Sequence, residues 1–204
     1  TKRYKRMMKM QYEKLLLDLM ERVVILEEKV EMLEMKSEKV EEDMMEEEAR
    51  TDKTTNRAMV IQEVTDILRK KYGYDVQKGK RADGGGLIAA KDGKKLNFKI
   101  FVSKNYMLQD VEPDFEWGGW HTFAPSELNL FDYYIFAIKV NKNEPAHYFI
   151  FSNEKLAAIC APKDTDSNGV VHFYFRKRHN GKLIEAREDE VDVAKFYNAW
   201  DTIK

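Results

Sequence analysis

Residues 82 to 104 read ADGGGLIAAKDGKKLNFKIFVSK. Leu87 to Ala90 is apolar, Asp92-Gly93 is a strong hairpin dipeptide, and Leu96, Phe98, Ile100 and Val102 alternate with Asn97, Lys99, Phe101 and Ser103. The pattern predicts strand, tight turn, strand, with one face in a core and the other at a surface or cleft. Asn97 and Lys99 fall on that second face, so any chemistry of the hairpin belongs there.

Upstream, Val60, Val64, Ile67 and Leu68 have the spacing of one helix face, which predicts a helix over Arg57 to Tyr72. Asn56 or Thr55 would cap it, and Tyr72-Gly73 would end it after the basic turn Arg69, Lys70, Lys71. Asp75 to Lys80 is a short strand candidate. Downstream, Asn105 to Gly119 reads as a loop, with Pro113 and the tryptophans Trp117 and Trp120, and Ser126 to Leu130 as a short helix. Phe131 to Val140 (FDYYIFAIKV) is aromatic and β-branched almost throughout, as in a strand covered on both faces. His147 to Phe151 and Val170 to Arg176 are further strands, Glu154 to Ile159 is helical, and Val191 to Ile203 reads as a closing helix. The order predicts an α/β domain, a mixed sheet flanked by helices, over residues 57–204, after a junction at 51–56.

Residues 1–50 read differently. Gln11 to Glu48 has neither Gly nor Pro, and with Leu16 at position a the heptad places Leu16, Val23, Val30, Ser37 and Met44 at a. Tyr12, Leu19, Leu26, Leu33 and Val40 fall at d, the Val/Leu preference of parallel two-stranded coils. Arg22, Lys29 and Lys36 at g face Glu27, Glu34 and Glu41 at e of a partner, so all three pairs attract. The expectation is a parallel homodimer with Leu16, Leu19, Val23, Leu26, Val30, Leu33 and Val40 in its seam. Ser37 and the acidic run after Val40 weaken that seam toward Arg50.

The 35 basic and 36 acidic side chains nearly cancel, so attraction to nucleic acid must come from a local patch. Two basic groups stand out: Lys78, Lys80, Arg81, Lys94, Lys95, Lys99 and Lys104 around the first strands, then Arg176, Lys177, Arg178 and His179. The lone Cys160 excludes an internal disulfide, and the four histidines show no zinc spacing. Nothing in the sequence is long and apolar enough to span a membrane, and the basic N-terminus lacks a signal core, so a cytoplasmic location is expected. Thr1 in place of Met makes a longer parent chain the expectation.

The opening helix with Glu63, the segment LIAAKDGKKLNFKIFVSKN, the runs SELNLFDYYIFAIKV and HYFIFSNEKLAAI, and the closing FYNAWDTIK together resemble the PD-(D/E)XK nuclease-like superfamily. In active members an aspartate near the first hairpin strand, and an acid plus lysine on the next, hold Mg²⁺ and orient a water; that is what the resemblance implies for this hairpin. One register puts Gly86 at the aspartate, Lys99 at the acid and Phe101 at the lysine; the other puts Asp83 or Gly84, Asn97 and Lys99 there. Neither supplies two carboxylates, and a hard cation needs several such oxygens.

The expected function is therefore a non-catalytic, nuclease-like dimer that binds DNA or acts as a scaffold or regulatory accessory protein, with no cofactor. An alternative is a Mg²⁺-dependent endonuclease using Glu63, Asp83, Asn97 and Lys99; another is a protein-interaction adaptor without nucleic-acid binding. The Gly84-Gly85-Gly86 run lacks P-loop framing and reads as a tight strand entry. Trp117 and Trp120 either cap the core or stack on bases.

Overall fold

The computed structural model describes residues 29, 56–80, 85–107 and 112–204. The chain divides into two units, Thr1–Asp52 and Lys53–Lys204, and all that follows concerns the second. The heptad seam from Leu16 to Val40, and Arg81 and Asp83, lie outside the described residues.

A helix, α1, spans residues 56–66 and widens into a π-turn at Ile67–Lys71. It ends at Tyr72-Gly73 as its sequence implies, with Gly73 at φ +72°. Strands β1 (Asp75–Lys78), β2 (Leu87–Lys91) and β3 (Lys94–Lys104) form the antiparallel meander. Asp92 and Gly93 carry φ of 51° and 79°, the pair of positive values that a two-residue hairpin turn matched to strand twist requires. β5 (Tyr133–Lys139) then lies parallel to β3, and β6 (His147–Ser152) antiparallel to β5, so the first sheet runs β1-β2-β3-β5-β6.

Every residue of β5 is buried, because the sheet is covered on both faces at this strand. On one face Leu96, Phe98, Ile100, Ile135, Tyr148 and Ile150 pack under Val60, Val64 and Leu68 of α1. On the other, Tyr134, Phe136, Ile138, Phe149 and Phe151 meet a second sheet. Helix α2 (Asn153–Cys160), capped by Ser152, joins this side through Leu156 and Cys160. Cys160 is the small buried residue its apolar run implies, its thiol pushed up to about 11 by burial.

The second sheet corrects the sequence reading. The supposed loop 105–119 runs into strand β4 (Phe115–Phe123), which pairs with β7 (Val171–Arg178), followed by β8 (Leu183–Glu185) and β9 (Val191–Asp192) in the order β4-β7-β8-β9. A register shift between Phe115 and Trp117 breaks the two-residue period by which a strand is recognised. Gly119 belongs in this strand: a Cβ there would sit 2.4 Å from Cγ1 of Ile138 on the first sheet. Between the sheets Phe136 lies 5.3 Å from both Phe173 and Phe175, and Phe149 stacks on Phe175 at 4.5 Å. Each such pair contributes about 0.5–1.5 kcal/mol beyond its area.

The closing helix is also absent. Val193, Phe196, Trp200 and Ile203 keep helical spacing, yet the first two enter the aromatic core and the last two the core under α1. A straight helix presents one apolar stripe to one core, whereas this segment passes from one core to the other as two short 3-10 turns, Ala194–Phe196 and Trp200–Thr202. Asn198, at φ +47°, makes the bend, and its N–H is held by Tyr148 O at 2.7 Å. The short helix expected at Ser126 to Leu130 is a single 3-10 turn, Pro125–Glu127. Among the described residues no helix is long and apolar enough to cross a membrane.

Candidate functional site

The second sheet covers β5, β6 and the far half of β3, including Phe101. The near half of that face, over β1 to β3, is open. Strand alternation brings Lys95, Asn97 and Lys99 to it, and pairing sets Ile88 opposite Asn97. The loop before β5 forms a wall through Leu130, which is 59% exposed, and Phe131. Two adjoining clefts result, which share Asn97, Leu130 and Phe131. One, of about 250 Å³, is lined also by Gly79, Gly85, Ile88 and Lys95. The other, of about 400 Å³, adds Asp132, Ser152, Asn153 and Glu154. An anion is favoured in the first, beside Lys95, and opposed in the second by Asp132 and Glu154.

The wall is tied in place. Asn97 N–H donates to Asp132 Oδ2 at 2.7 Å, and Asp132 N–H donates back to Asn97 O at 3.0 Å. Asn129, at φ +70°, accepts from Asn153 Nδ2 at 2.6 Å and donates its N–H to Asn153 Oδ1 at 3.1 Å, pinning the loop to the start of α2. Tyr134 OH donates to Glu127 O at 2.6 Å. Lys99 Nζ lies 2.9 Å from Glu127 Oε1 and 5.3 Å from the centre of the Phe131 ring. That ion pair, with side chains 17% and 29% exposed, fixes the lysine against the wall.

Glu63 is elsewhere. It accepts from Ala146 N–H at 2.9 Å, from Tyr148 OH at 2.6 Å and from Lys139 Nζ. Lys139 also donates to Glu144 O at 2.6 Å. Burial alone would raise the Glu63 carboxyl, but the hydrogen bonds from Ala146, Lys139 and Tyr148 outweigh it and hold the group below the usual carboxylate value. Lys139 stands beside Lys104 in the β3–β5 register, seven positions along β3 from Asn97, or about 23 Å at the usual strand rise. The structure therefore does not bring Glu63 to Asn97 and Lys99.

Gly86 occupies the place where the first register puts an aspartate. It has φ +86°, and a Cβ built on it would fall 2.1 Å from Phe98 O, so no carboxylate can project there without moving the backbone. Glu127 is bound to Lys99 and Asp132 to Asn97. Among the described residues no three His, Cys, Asp or Glu side chains gather as metal ligands, and Asp83 lies outside those residues.

The basic groups separate. Lys78, Lys80 and Lys95 are exposed, Lys94 Nζ donates to Lys204 O at 2.6 Å, and Lys104 Nζ lies 5.2 Å over the Tyr106 ring. The second run belongs to β7 and meets acids: Arg176 with Glu112 at 2.6 Å, Lys177 with Glu116 at 2.7 Å, and Arg178 with Glu190. Comparison with family models, curated proteins and solved structures finds no match. The site therefore rests on its own geometry.

Trp117 and Trp120 divide the two roles that the sequence left open. Trp117 is 2% exposed and stacks on His147 at 4.3 Å, inside the aromatic core. Trp120 is 44% exposed on the outer face of the second sheet. Glu127, Leu130 and Asp132 escaped the sequence reading. Their only signal was SELNLFD after Pro125, read as a short helix leading into the strand, which does not record what that segment reaches.

Proposed function

We propose that the globular unit is a nuclease-like domain that binds DNA in the cleft beside Lys95 without cutting it. In this reading the N-terminal heptads pair two copies as a parallel homodimer, acting as an accessory or regulatory protein in the cytoplasm. One observation carries it: the open face of the hairpin presents Gly86, Lys95, Asn97 and Lys99 where metal-dependent cleavage needs carboxylates. The antiparallel meander followed by a parallel β3–β5 step is the feature of the mixed sheet that supports this reading. Lys95 supplies charge to a phosphate, Asn97 an amide donor, and Leu130 an apolar rim for the sugar.

Plasmid incubated with Mg²⁺ or Mn²⁺ is expected to stay intact. Duplex binding should weaken in Lys95→Ala, with the salt dependence of log K shallower by about 0.9. Cleavage that disappears in Glu127→Ala or Asp83→Ala would instead establish an endonuclease with relocated acids. Absence of any salt-dependent binding to duplex or single strand would leave the adaptor role.

A further inference from the structure

The outer face of the second sheet carries a row of three aromatic rings far from the hairpin chemistry. Trp120 points outward from β4, opposite Tyr174 on β7. Tyr106 joins it from the end of β3, its N–H bonded to Gly118 O at 2.9 Å. Tyr106 and Trp120 are 46% and 44% exposed, and adjacent aromatic rings so open to water are uncommon without a partner. The rings of Tyr106 and Tyr174 stand at 69° and 70° to the indole, with centroids 6.1 and 6.4 Å away, as side walls to its face. A cavity of about 260 Å³ lies between them, lined also by Met107, Gly118 and Arg176.

The indole is held still. Trp120 Nε1–H donates to His172 Nδ1 at 2.9 Å, and His172 Nε2 meets Asp166 Oδ2 at 2.9 Å. An indole nitrogen only donates, so His172 Nδ1 is the acceptor and its Nε2–H donates to the carboxylate. With its one polar group satisfied at the edge, Trp120 offers a ligand only its face, in a fixed orientation.

The surrounding charge selects the ligand, although Glu112 is also in the cavity lining and Arg187 Nε lies 3.9 Å from Glu188 Oε1. Lys104 stands 5.2 Å over Tyr106 at one end of the row, and Arg187 5.3 Å over Tyr174 at the other. Arg176 also lies 5.7 Å over Tyr174, while Glu112 is engaged by its guanidinium at 2.6 Å. A cationic ligand would meet like charges on both sides. A flat neutral ring joined to anionic groups matches both the rings and the cations. Paired bases hide their faces in the duplex stack, so the base must be unpaired.

We propose that this face is a second nucleic-acid site, in which Trp120 stacks on an unpaired base of a single strand while Lys104 and Arg187 meet the flanking phosphates. It uses no residue of the Lys95 cleft and stands apart from it. The test is a titration of the full chain, followed by tryptophan emission and, for affinities in every variant, by the anisotropy of end-labelled strands, with an oligothymidylate of about eight nucleotides, an abasic phosphodiester strand of equal length, and a duplex. Trp117 and Trp200 are 2% and 6% exposed, so quenching by a bound strand reports on Trp120. Oligothymidylate should quench and bind more tightly than the abasic strand. Trp120→Ala should weaken it about tenfold with no change for the abasic strand, and Trp120→Phe should retain most of the affinity. Lys104→Ala and Arg187→Ala should each make the salt dependence shallower by about 0.7.

Equal affinity for oligothymidylate and abasic strand, no quenching by any strand, or unchanged binding in Trp120→Ala would overturn the proposal. So would acrylamide shielding of Trp120 that grows with protein concentration, which would make the face a contact between copies of this chain. The two sites fail separately: loss of all three ligands in Lys95→Ala, with none in Trp120→Ala, would keep the cleft and remove the stacking site.

Discussion

The first sheet holds a lysine–glutamate pair at each end, and the two have opposite surroundings. Lys139 and Glu63, with side chains 2% and 27% exposed, close one end together with Tyr148 OH, Ala146 N–H and Glu144 O. Lys99 and Glu127, 17% and 29% exposed, sit beside two clefts at the other. Same residue types, same sheet, different consequence. Where the lysine is buried and the partners are complete, the pair is a clamp between α1 and the sheet; beside open clefts, it sets which charge a ligand meets.

The largest effect is expected at the open end, from restoring what a nuclease would need. Gly86→Asp forces a side chain onto positive φ and into Phe98 O, which should destabilise the unit by about 4 kcal/mol and restore no cleavage. Urea unfolding and a plasmid assay read both, and a stable variant that cuts DNA with Mg²⁺ would overturn the proposed non-cutting role. Next comes Glu63→Ala at the closed end, which strands Lys139 in the core. About 3 kcal/mol of unfolding free energy should be lost in a urea titration, whereas replacing both partners with apolar residues of similar volume should be close to neutral.

The same clamp has a pH signature. Glu63 is held below its ordinary value in the folded protein, so folding favours its charged form; the gain is complete above the unfolded value near 4.5 and is lost as pH falls through the folded one. Glu63→Gln should flatten the fall in stability over that acid range, measured by unfolding at successive pH values. An unchanged profile would mean that other carboxylates govern acid unfolding.

The smallest effect on stability belongs to the open pair. Glu127→Gln should change the unfolding free energy from urea titration by less than about 1 kcal/mol, because the pair is partly in water. It should nevertheless tighten duplex binding, because a negative charge beside the clefts no longer repels phosphate. A large loss of stability, or no gain in binding, would make this end a second clamp.

These contrasts follow the limits of sequence reading. The hairpin was legible because Asp92-Gly93 and the alternation from Leu96 to Val102 act over a few residues, and the structure has the turn and β3 at those positions. FDYYIFAIKV correctly implied a strand covered on both faces. β4 was hidden because its bulge and Gly118-Gly119 remove the two-residue period, although Gly119 is what lets Ile138 approach. Val193, Phe196, Trp200 and Ile203 implied a helix because a one-dimensional pattern does not record that two cores share them.

For the site, the hairpin alone was enough to show that its open face carries Asn97 and Lys99. Local alternation and residue identity determine that much. Which acid answers Lys99, where Glu63 goes and why Trp120 faces outward were decided only by tertiary structure. Glu127 lies 28 positions from Lys99, and Glu63 lies 76 positions from Lys139. Partners so distant in sequence are chosen when the sheets close over shared cores, and burial then sets which charges must be matched inside and which remain open to a ligand.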